Sequence, residues 1–373
     1  LDCLCQNRQN TPQCFRQNNR NTHTEGNRQI NIKRGRMVEK GHSVTAYNRK
    51  GKHVSGGKTV NLKEYKGVKI KSVPTFENGK LNAIVYSVIA TFLALFGRYD
   101  VIHFHAEGPC SMIWLPHLFG IHTVATIHGL DWQRAKWGGF ATKFLKFGEK
   151  TAAKYADELI VLSEGTRDYF KETYGRETVF IPNGIDVPNE KKADIITKKY
   201  GLEKDGYILF LARIVPEKGL HYLIDAFMQT DTDKKLVIAG GVSHSGEYAK
   251  QIHDMAKDDR IIFTGFVEGD ELWELYYNCR MYVLPSDVEG MPISLLEAMA
   301  CGCECLVSDI DTVKNVVGEY GYTFKKSDVN DLKNKLCEIL GKPKADKAEQ
   351  IEYVKNNYSW DEITDRTLEL YKK

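Results

Sequence analysis

An α/β protein of two doubly wound, parallel-sheet domains is the fold class this sequence predicts, and three observations predict it. From Met37 onward, short apolar runs alternate with longer amphipathic stretches, the pattern of strands feeding crossover helices. Near mid-chain the stretch IPNGIDVPN, residues 181–189, breaks the alternation with two prolines and a glycine, and a second alternating set follows. The length of 373 residues, with 42% apolar and 27% charged composition, suits two domains of about 150–200 residues each.

The elements follow in order. Residues 1–36 stand outside the pattern: half are Asn, Gln or Arg, three of the nine cysteines lie there, and no apolar run or helical period is visible. By composition this segment is expected to be disordered. MVEKGHSVTAYNR then reads as a helix end, a stop at Gly41 and a strand over 43–47. Strands are expected at 68–73, 101–104, 123–127 and 158–162, and helices at 81–96, 112–119, 140–156 and 164–174. After the 181–189 connector, strands are expected at 207–211, 235–239, 261–264, 281–284 and 304–307. The matching helices are 219–229, 248–256, 270–277 and 293–300, and 360–373 closes the chain as an amphipathic helix. Ligands of such domains bind at the carboxyl ends of the strands, and two domains leave a cleft.

Composition narrows the function classes. No run reaches about 18 unbroken apolar residues. The nearest, LNAIVYSVIATFLALF, carries Asn82, Ser87 and Thr91 and reads as a core helix. No secretory signal is visible, and nine cysteines without framework spacing fit a reducing cytoplasm. Cys301, Cys303 and Cys305 lack a second pair at zinc spacing and read as small buried strand residues. Net charge is +3 but uneven: residues 1–185 hold 27 Lys and Arg against 15 Asp and Glu, and residues 186–373 hold 25 against 34. The basic half could meet anionic lipid or an anionic substrate, or be a solvated face. On 140–156, Phe140, Phe144 and Phe147 with four lysines fit either an interfacial membrane helix or a packed helix with a basic outer face. No nucleic-acid partner is expected.

The chemistry gathers in EGMPISLLEA, residues 289–298. Glu289 and Glu297 stand eight positions apart, about two helical turns. A helix starting near Pro292 places Glu297 on its second turn and Glu289 in the loop before it, beside free amides that favour an anion. Arg213 and Lys218, in ARIVPEKG after strand 207–211, supply two cations suited to a pyrophosphate. His128 ends strand 123–127 and could reach a sugar hydroxyl or phosphate, or be a capping histidine. His103 and His105 are expected on opposite faces of their strand, one at the crevice and one in the core. Asp309 and Asp311 could hold a divalent metal or simply form a loop, and the loop is favoured.

EGMPISLLEAMACG, ARIVPEKGLHYLIDAF, VLSE, IPNGID and YSWDEITDRTLELY together resemble the family 4 retaining glycosyltransferases of the GT-B fold. TIHGLDWQRAKWGGF resembles a bacterial subset that builds capsule, exopolysaccharide or O-antigen chains. The resemblance runs from about Met37 to the end. It implies an acceptor-side Rossmann-like domain over 37–185, a nucleotide-sugar domain over 186–357, and a final helix, 358–373, crossing back to the first domain. It implies transfer of a sugar from a nucleotide-diphosphate sugar to a saccharide or lipid-linked saccharide, with no metal and no cofactor. It also implies a setting in the cytoplasm or at the inner face of the cytoplasmic membrane.

Residue by residue, it implies that Glu289 lies near the transferred sugar and that backbone at Gly290, Met291 and Ile293 meets sugar and phosphate. It implies that Glu297 holds the ribose, that Arg213 and Lys218 grip the diphosphate, that Phe266 lies by the base, and that His128 approaches the donor sugar. Ala212 and Glu304 depart from the usual Gly and Pro. Residues 1–36 lack the family's apolar first strand and glycine-rich loop. This implies a frame error or disrupted gene upstream of Met37 and a first sheet without its central strand. The alternatives are a nucleotide-sugar 2-epimerase of the same fold and an inactive product of a disrupted gene.

Overall fold

The computed structural model describes residues 3–7, 33–49, 63–75, 82–133, 139–187, 189–241 and 246–372. The chain divides into two compact units, Leu1–Gly184 with Trp360–Lys373, and Ile185–Ser359. No helix among the described residues is long and apolar enough to cross a membrane.

The first unit holds an eight-stranded sheet. Its strands are β1 (Cys3–Asn7), β2 (Ser43–Arg49), β3 (Glu64–Tyr65), β4 (Val68–Val73), β5 (Val101–His105), β6 (His122–Ile127), β7 (Glu158–Val161) and β8 (Val179–Phe180), in the order β3-β4-β2-β1-β5-β6-β7-β8. Its helices are α1 (33–39), α2 (Asn82–Leu95), α3 (Glu107–Cys110), α4 (Trp114–Leu118), α5 (Gly139–Tyr155) and α6 (Glu164–Tyr174). Ser163 caps α6, its Oγ accepting from the Thr166 amide at 3.2 Å, and Gly175 in the left-handed region ends it.

The amino-terminal segment corrects the expectation drawn from composition. Cys3–Asn7 is a strand, antiparallel to both β2 and β5, and it occupies the centre of the sheet. Residues 33–36 belong to α1, so ordered backbone begins before Met37. Segment-wide composition hides a five-residue strand. The exposed edges of β2 and β5 favour any strand that satisfies their backbone groups, whatever its direction. The rest of 1–36 lies outside the described residues.

The second unit holds β9 (Tyr207–Leu211), β10 (Lys235–Ala239), β11 (Ile261–Gly265), β12 (Met281–Leu284), β13 (Cys305–Ser308) and β14 (Tyr322–Phe324). The order is β11-β10-β9-β12-β13-β14, with every neighbouring pair parallel. Counted along the chain, this is the 3-2-1-4-5-6 winding of a dinucleotide-type fold, whose direction reverses between β9 and β12. The near-continuous apolar runs YILFL, KLVIA and MYVL follow from helices covering both faces. Those helices are α7 (Ile195–Tyr200), α8 (Leu220–Met228), α9 (Gly246–Met255), α10 (Asp270–Asn278), α11 (Ile293–Ala300), α12 (Asp311–Val317), α13 (Val329–Leu340) and α14 (Ala348–Asn357). β14, α12, α13 and α14 lie in a region where no elements were expected from the sequence.

The last helix, α15 (Trp360–Leu370), belongs to the first unit. Its buried residues Trp360, Ile363, Thr364, Thr367 and Leu368 recur at helical spacing and form one face. Trp360 and Ile363 pack with Val101, Val124 and Ile160 of the sheet. Arg366 donates to the Phe180 carbonyl at 2.6 Å, and Lys40 pairs with Asp365 at 2.7 Å.

The departure at Glu304 has a structural reason. Its carboxylate is buried, pairs with the Arg280 guanidinium and accepts the Ala345 amide at 3.1 Å. Arg280 also donates to the Ile339 and Lys342 carbonyls at 2.8 Å. A proline here would leave a buried guanidinium without its carboxylate, an uncompensated charge. Nearby, Cys279, Cys301, Cys303 and Cys305 are buried free thiols, and burial pushes the Cys301 thiol well above its ordinary range.

Candidate functional site

The strongest constellation lies where the winding of the second sheet reverses. β9 and β12 are adjacent, with Tyr282 opposite Leu209, so the loops leaving their carboxyl ends emerge side by side. The loop after β9 carries Arg213 and Lys218, and the loop after β12 carries Ser286 to Gly290. Lys218 Nζ lies 2.5 Å from Glu289 Oε1, with side chains only 14% and 7% exposed. Ser286 Oγ donates to the same carboxylate oxygen at 2.6 Å, and Ser308 Oγ in turn donates to the Ser286 carbonyl at 2.6 Å. Glu289 is therefore held in place before any ligand arrives.

Gly219 makes this approach possible. It adopts φ +65, and a Cβ there would stand 1.9 Å from the Pro285 carbonyl oxygen. The turn carrying Lys218 thus rests directly on the backbone of the loop carrying Glu289. Arg213 is half-buried, and its guanidinium has no hydrogen bond or ion pair among the described residues. A planar group with five donors beside a paired lysine is chemically suited to a multivalent anion.

α11 begins directly after Pro292, and no side chain caps its first amides. The free amides and the positive end of the helix dipole therefore face the loop of Gly290 and Met291. Met291 is buried and Ile293 half-buried. Glu297 lies on the second turn, buried, and accepts from the Tyr276 hydroxyl at 3.1 Å. Phe266 follows β11, the edge strand two places from β9, and is 59% exposed. Seven of the nine candidate residues (Arg213, Lys218, Glu289, Gly290, Met291, Ile293 and Glu297) thus belong to loops and a helix at one sheet crossover. Ser286 and Tyr276 were not singled out from the sequence. A serine three residues before a glutamate and a tyrosine on a helix carry no signal until the strands are paired.

Asp309 Oδ1 accepts the Lys326 amide at 2.9 Å, and Asp311 opens α12. Among the described residues no group of three or more His, Cys, Asp or Glu is arranged to hold a metal ion.

His128 lies in the first unit, just past β6. Its Nε2 is 3.2 Å from His105 Nδ1. The expectation that His103 and His105 face opposite sides of β5 is wrong. Residues two apart share a face of a strand, and the two rings stack at 4.2 Å. His103 is tied to Tyr371, past α15, through Nδ1 at 2.5 Å, and to Thr126 through Nε2 at 2.7 Å. His105 Nε2 is buried with no hydrogen bond. Burial, followed by neighbouring cationic groups, holds both His103 and His105 well below the ordinary imidazole range. Neutral rings leave His105 able to fix the tautomer of His128.

Two family models match the chain: that described as Glycosyltransferase Family 4 over residues 34–188, and that described as Glycosyl transferases group 1 over residues 192–357. Alpha-maltose-1-phosphate synthase of Mycolicibacterium smegmatis is 27% identical over 69% of this chain and 74% of its own length. The UDP-Gal:alpha-D-GlcNAc-diphosphoundecaprenol alpha-1,3-galactosyltransferase of Escherichia coli is 27% identical over 65% of this chain and 66% of its own. Among solved structures, sucrose-phosphate synthase from Thermosynechococcus elongatus superposes with a TM-score of 0.72 at 21% identity, covering 83% of this chain and 84% of the other. Anabaena HepE in complex with UDP and glucose gives 0.70 at 18% identity, covering 82% and 86%. These two likenesses establish a shared GT-B fold.

Proposed function

We propose, from the premise that this chain belongs to the family 4, group 1 glycosyltransferases, that it moves a sugar from a nucleotide-diphosphate sugar to a saccharide or lipid-linked saccharide in cell-surface polysaccharide synthesis. The observation that carries this reading is the Lys218–Glu289 pair with Arg213 in the same loop as Lys218, its guanidinium unpartnered among the described residues, set at the β9–β12 crossover next to the uncapped start of α11. Two cations and a helix start suit a diphosphate. A buried carboxylate eight residues further on suits ribose hydroxyls. The Escherichia coli relative named for galactosyl transfer to a diphosphoundecaprenol-linked sugar supports the acceptor class.

In this reading Arg213, Lys218 and the α11 amides stabilise the negative charge that builds on the departing diphosphate. Glu289 and neighbouring backbone carbonyls stabilise the positive charge on the ring. Phe266 lies by the base, Glu297 holds the ribose, and His128 approaches the donor sugar. The leaving phosphate takes the acceptor proton on the same face, which gives retention at the anomeric carbon, and no metal takes part. A screen of nucleotide release across UDP-, GDP-, ADP- and dTDP-sugars tests it. One donor base is expected to be turned over, unchanged by EDTA, with product of retained configuration by NMR. Loss of turnover in EDTA would remove the metal-free step, and an isomerised donor without transfer would remove the transferase reading.

Peripheral contact with an anionic membrane belongs to the same proposal. In the first unit, exposed Phe92 belongs to α2, Phe119 follows α4, and Phe140 and Phe147 belong to α5, and α4 touches both of the other helices. Lys143, Lys150 and Lys154 are exposed on α5 among them. Burying one Phe contributes about 1.5–3 kcal/mol. Phe140→Ser with Phe147→Ser is therefore expected to weaken co-sedimentation with phosphatidylglycerol vesicles about tenfold or more. Binding of the unaltered protein should fall as salt rises. Equal pelleting with neutral vesicles would refute the electrostatic part.

A further inference from the structure

A second buried cluster in the first unit has no part in the chemistry above. Glu107 opens α3 immediately after β5, where Ala106 turns the chain with φ 70. Glu149 lies on α5. Both side chains belong to residues with no exposed surface. The two helices touch because position 148 is glycine: a Cβ there would stand 1.9 Å from the Glu107 carbonyl oxygen.

The surroundings of the two carboxyl groups differ. Glu149 accepts three hydrogen bonds, from Trp132 Nε1 at 2.9 Å, Tyr169 Oη at 2.8 Å and Tyr174 Oη at 2.6 Å. Three converging donors suit a carboxylate. Glu107 Oε1 accepts the Asp131 amide at 3.2 Å, while its Oε2 is buried with no donor supplied to it. A buried oxygen without a donor, facing a carboxylate, suits a carboxylic acid whose hydroxyl points at that carboxylate.

We propose that Glu107 and Glu149 share a single proton, and that this acid–carboxylate pair positions the 130–133 turn that follows His128. The proton sits on Glu107 Oε2 and is donated toward Glu149. Each partner then holds one of two consecutive residues of the turn: Glu107 takes the Asp131 amide and Glu149 takes the Trp132 indole. Lys146, one turn before Lys150 on α5, lies 4.2 Å above the Trp132 ring and closes the outer side. Glu107 and Glu149 are positioning residues: they act on the turn that follows His128, through the Asp131 amide and the Trp132 indole.

The groups facing Glu107 are Asp131 from the turn, Glu149 from α5, and Tyr169 and Tyr174 behind Glu149 on α6. β5 contributes His105, held neutral by burial. α2, which also packs on α3, carries no acidic or basic residue. Burial, followed by the Asp131 and Glu149 charges, pushes the Glu107 carboxyl from 4.5 up to about 9. The folded state thus keeps a proton that the unfolded chain releases. Between pH 4.5 and 9 the unfolded state binds fewer protons, so stability falls as pH rises through that window and levels off above it. Above about pH 9 the proton leaves to solvent, two buried carboxylates face each other, and the turn is released.

Glu107→Gln tests this, because a glutamine accepts the Asp131 amide and donates to Glu149 without titrating. Melting temperatures of the unaltered protein and of E107Q are compared from pH 5 to 10. E107Q is expected to gain on the unaltered protein steadily between pH 5 and 9 and no further above. Trp132 fluorescence, isolated by subtracting a Trp132→Phe variant, should show a transition near pH 9 that E107Q lacks. Parallel melting profiles, or a transition unchanged in E107Q, would overturn the proposal. If E107Q does not fold, the unaltered protein still decides: no Trp132 transition between pH 7 and 10.5 would overturn it. Neither readout uses substrate, so failure here and failure of the transferase reading are separate results.

Discussion

Lys218→Ala is expected to lower turnover by about 10²–10³-fold, the loss that follows removal of one preorganised charge-stabilising group at a reacting centre, about 2.7–4 kcal/mol. Lys218 is held 2.5 Å from Glu289, so its ammonium is fixed before the donor binds. The variant leaves Glu289 without its cation but with the Ser286 hydroxyl still donating. The stability lost on leaving such a group partly satisfied is about 1–3 kcal/mol, which a protein of ordinary stability, about 5–15 kcal/mol, survives at 25 °C. Steady-state nucleotide release beside a thermal melt checks both halves. Activity within about threefold of the unaltered enzyme, with the fold intact, would show that Lys218 does not act on the diphosphate.

Gly219→Ala should act through the backbone rather than through charge. An alanine at φ +65 loses about 1–2 kcal/mol to left-handed strain. Its Cβ would also meet the Pro285 carbonyl at 1.9 Å, a contact that only a backbone shift can relieve. Overpacking of this kind adds about 1–3 kcal/mol. Together these imply a melting temperature lower by about 5–15 °C. Gly201 provides the control: it has φ +60 but only the flexible Lys235 Nζ nearby, at 3.8 Å. Gly201→Ala should show the strain alone. Gly219→Ala should in addition raise the donor KM, because it separates Lys218 from Glu289. Equal losses in the two variants would mean that the β9 and β12 loops do not rest on each other as described.

Much of this was legible along the chain. Helix α11 begins at Ile293 as the Pro292 signal implies, and Glu297 lies on its second turn, because a proline start and an apolar run are local properties. The alternation of strands and helices along the chain announced parallel sheets covered on both faces. The strand over 3–7 was not legible, since an averaged polar composition outweighs a short run whose ladder partners, β2 and β5, are distant in sequence. β14, three residues long, fell below any periodicity. The Glu304 departure has no reason visible along the chain, because its partner Arg280 lies 24 residues away in sequence. The assignment of His103 and His105 to opposite faces misapplied a period of two.

Sequence alone determined what depends on neighbours within a few residues: the alternation of strands and helices, the break near residue 185, and the start of α11 after EGMP. The tertiary structure decided what depends on sheet order. Strand pairing is set by how buried faces stack across the whole unit, and no local period encodes it. Only that pairing makes β9 and β12 neighbours and brings Lys218 to Glu289 across 71 residues. Helix packing likewise closes Gly148 on Glu107, so that two glutamates from separate helices come to hold one turn.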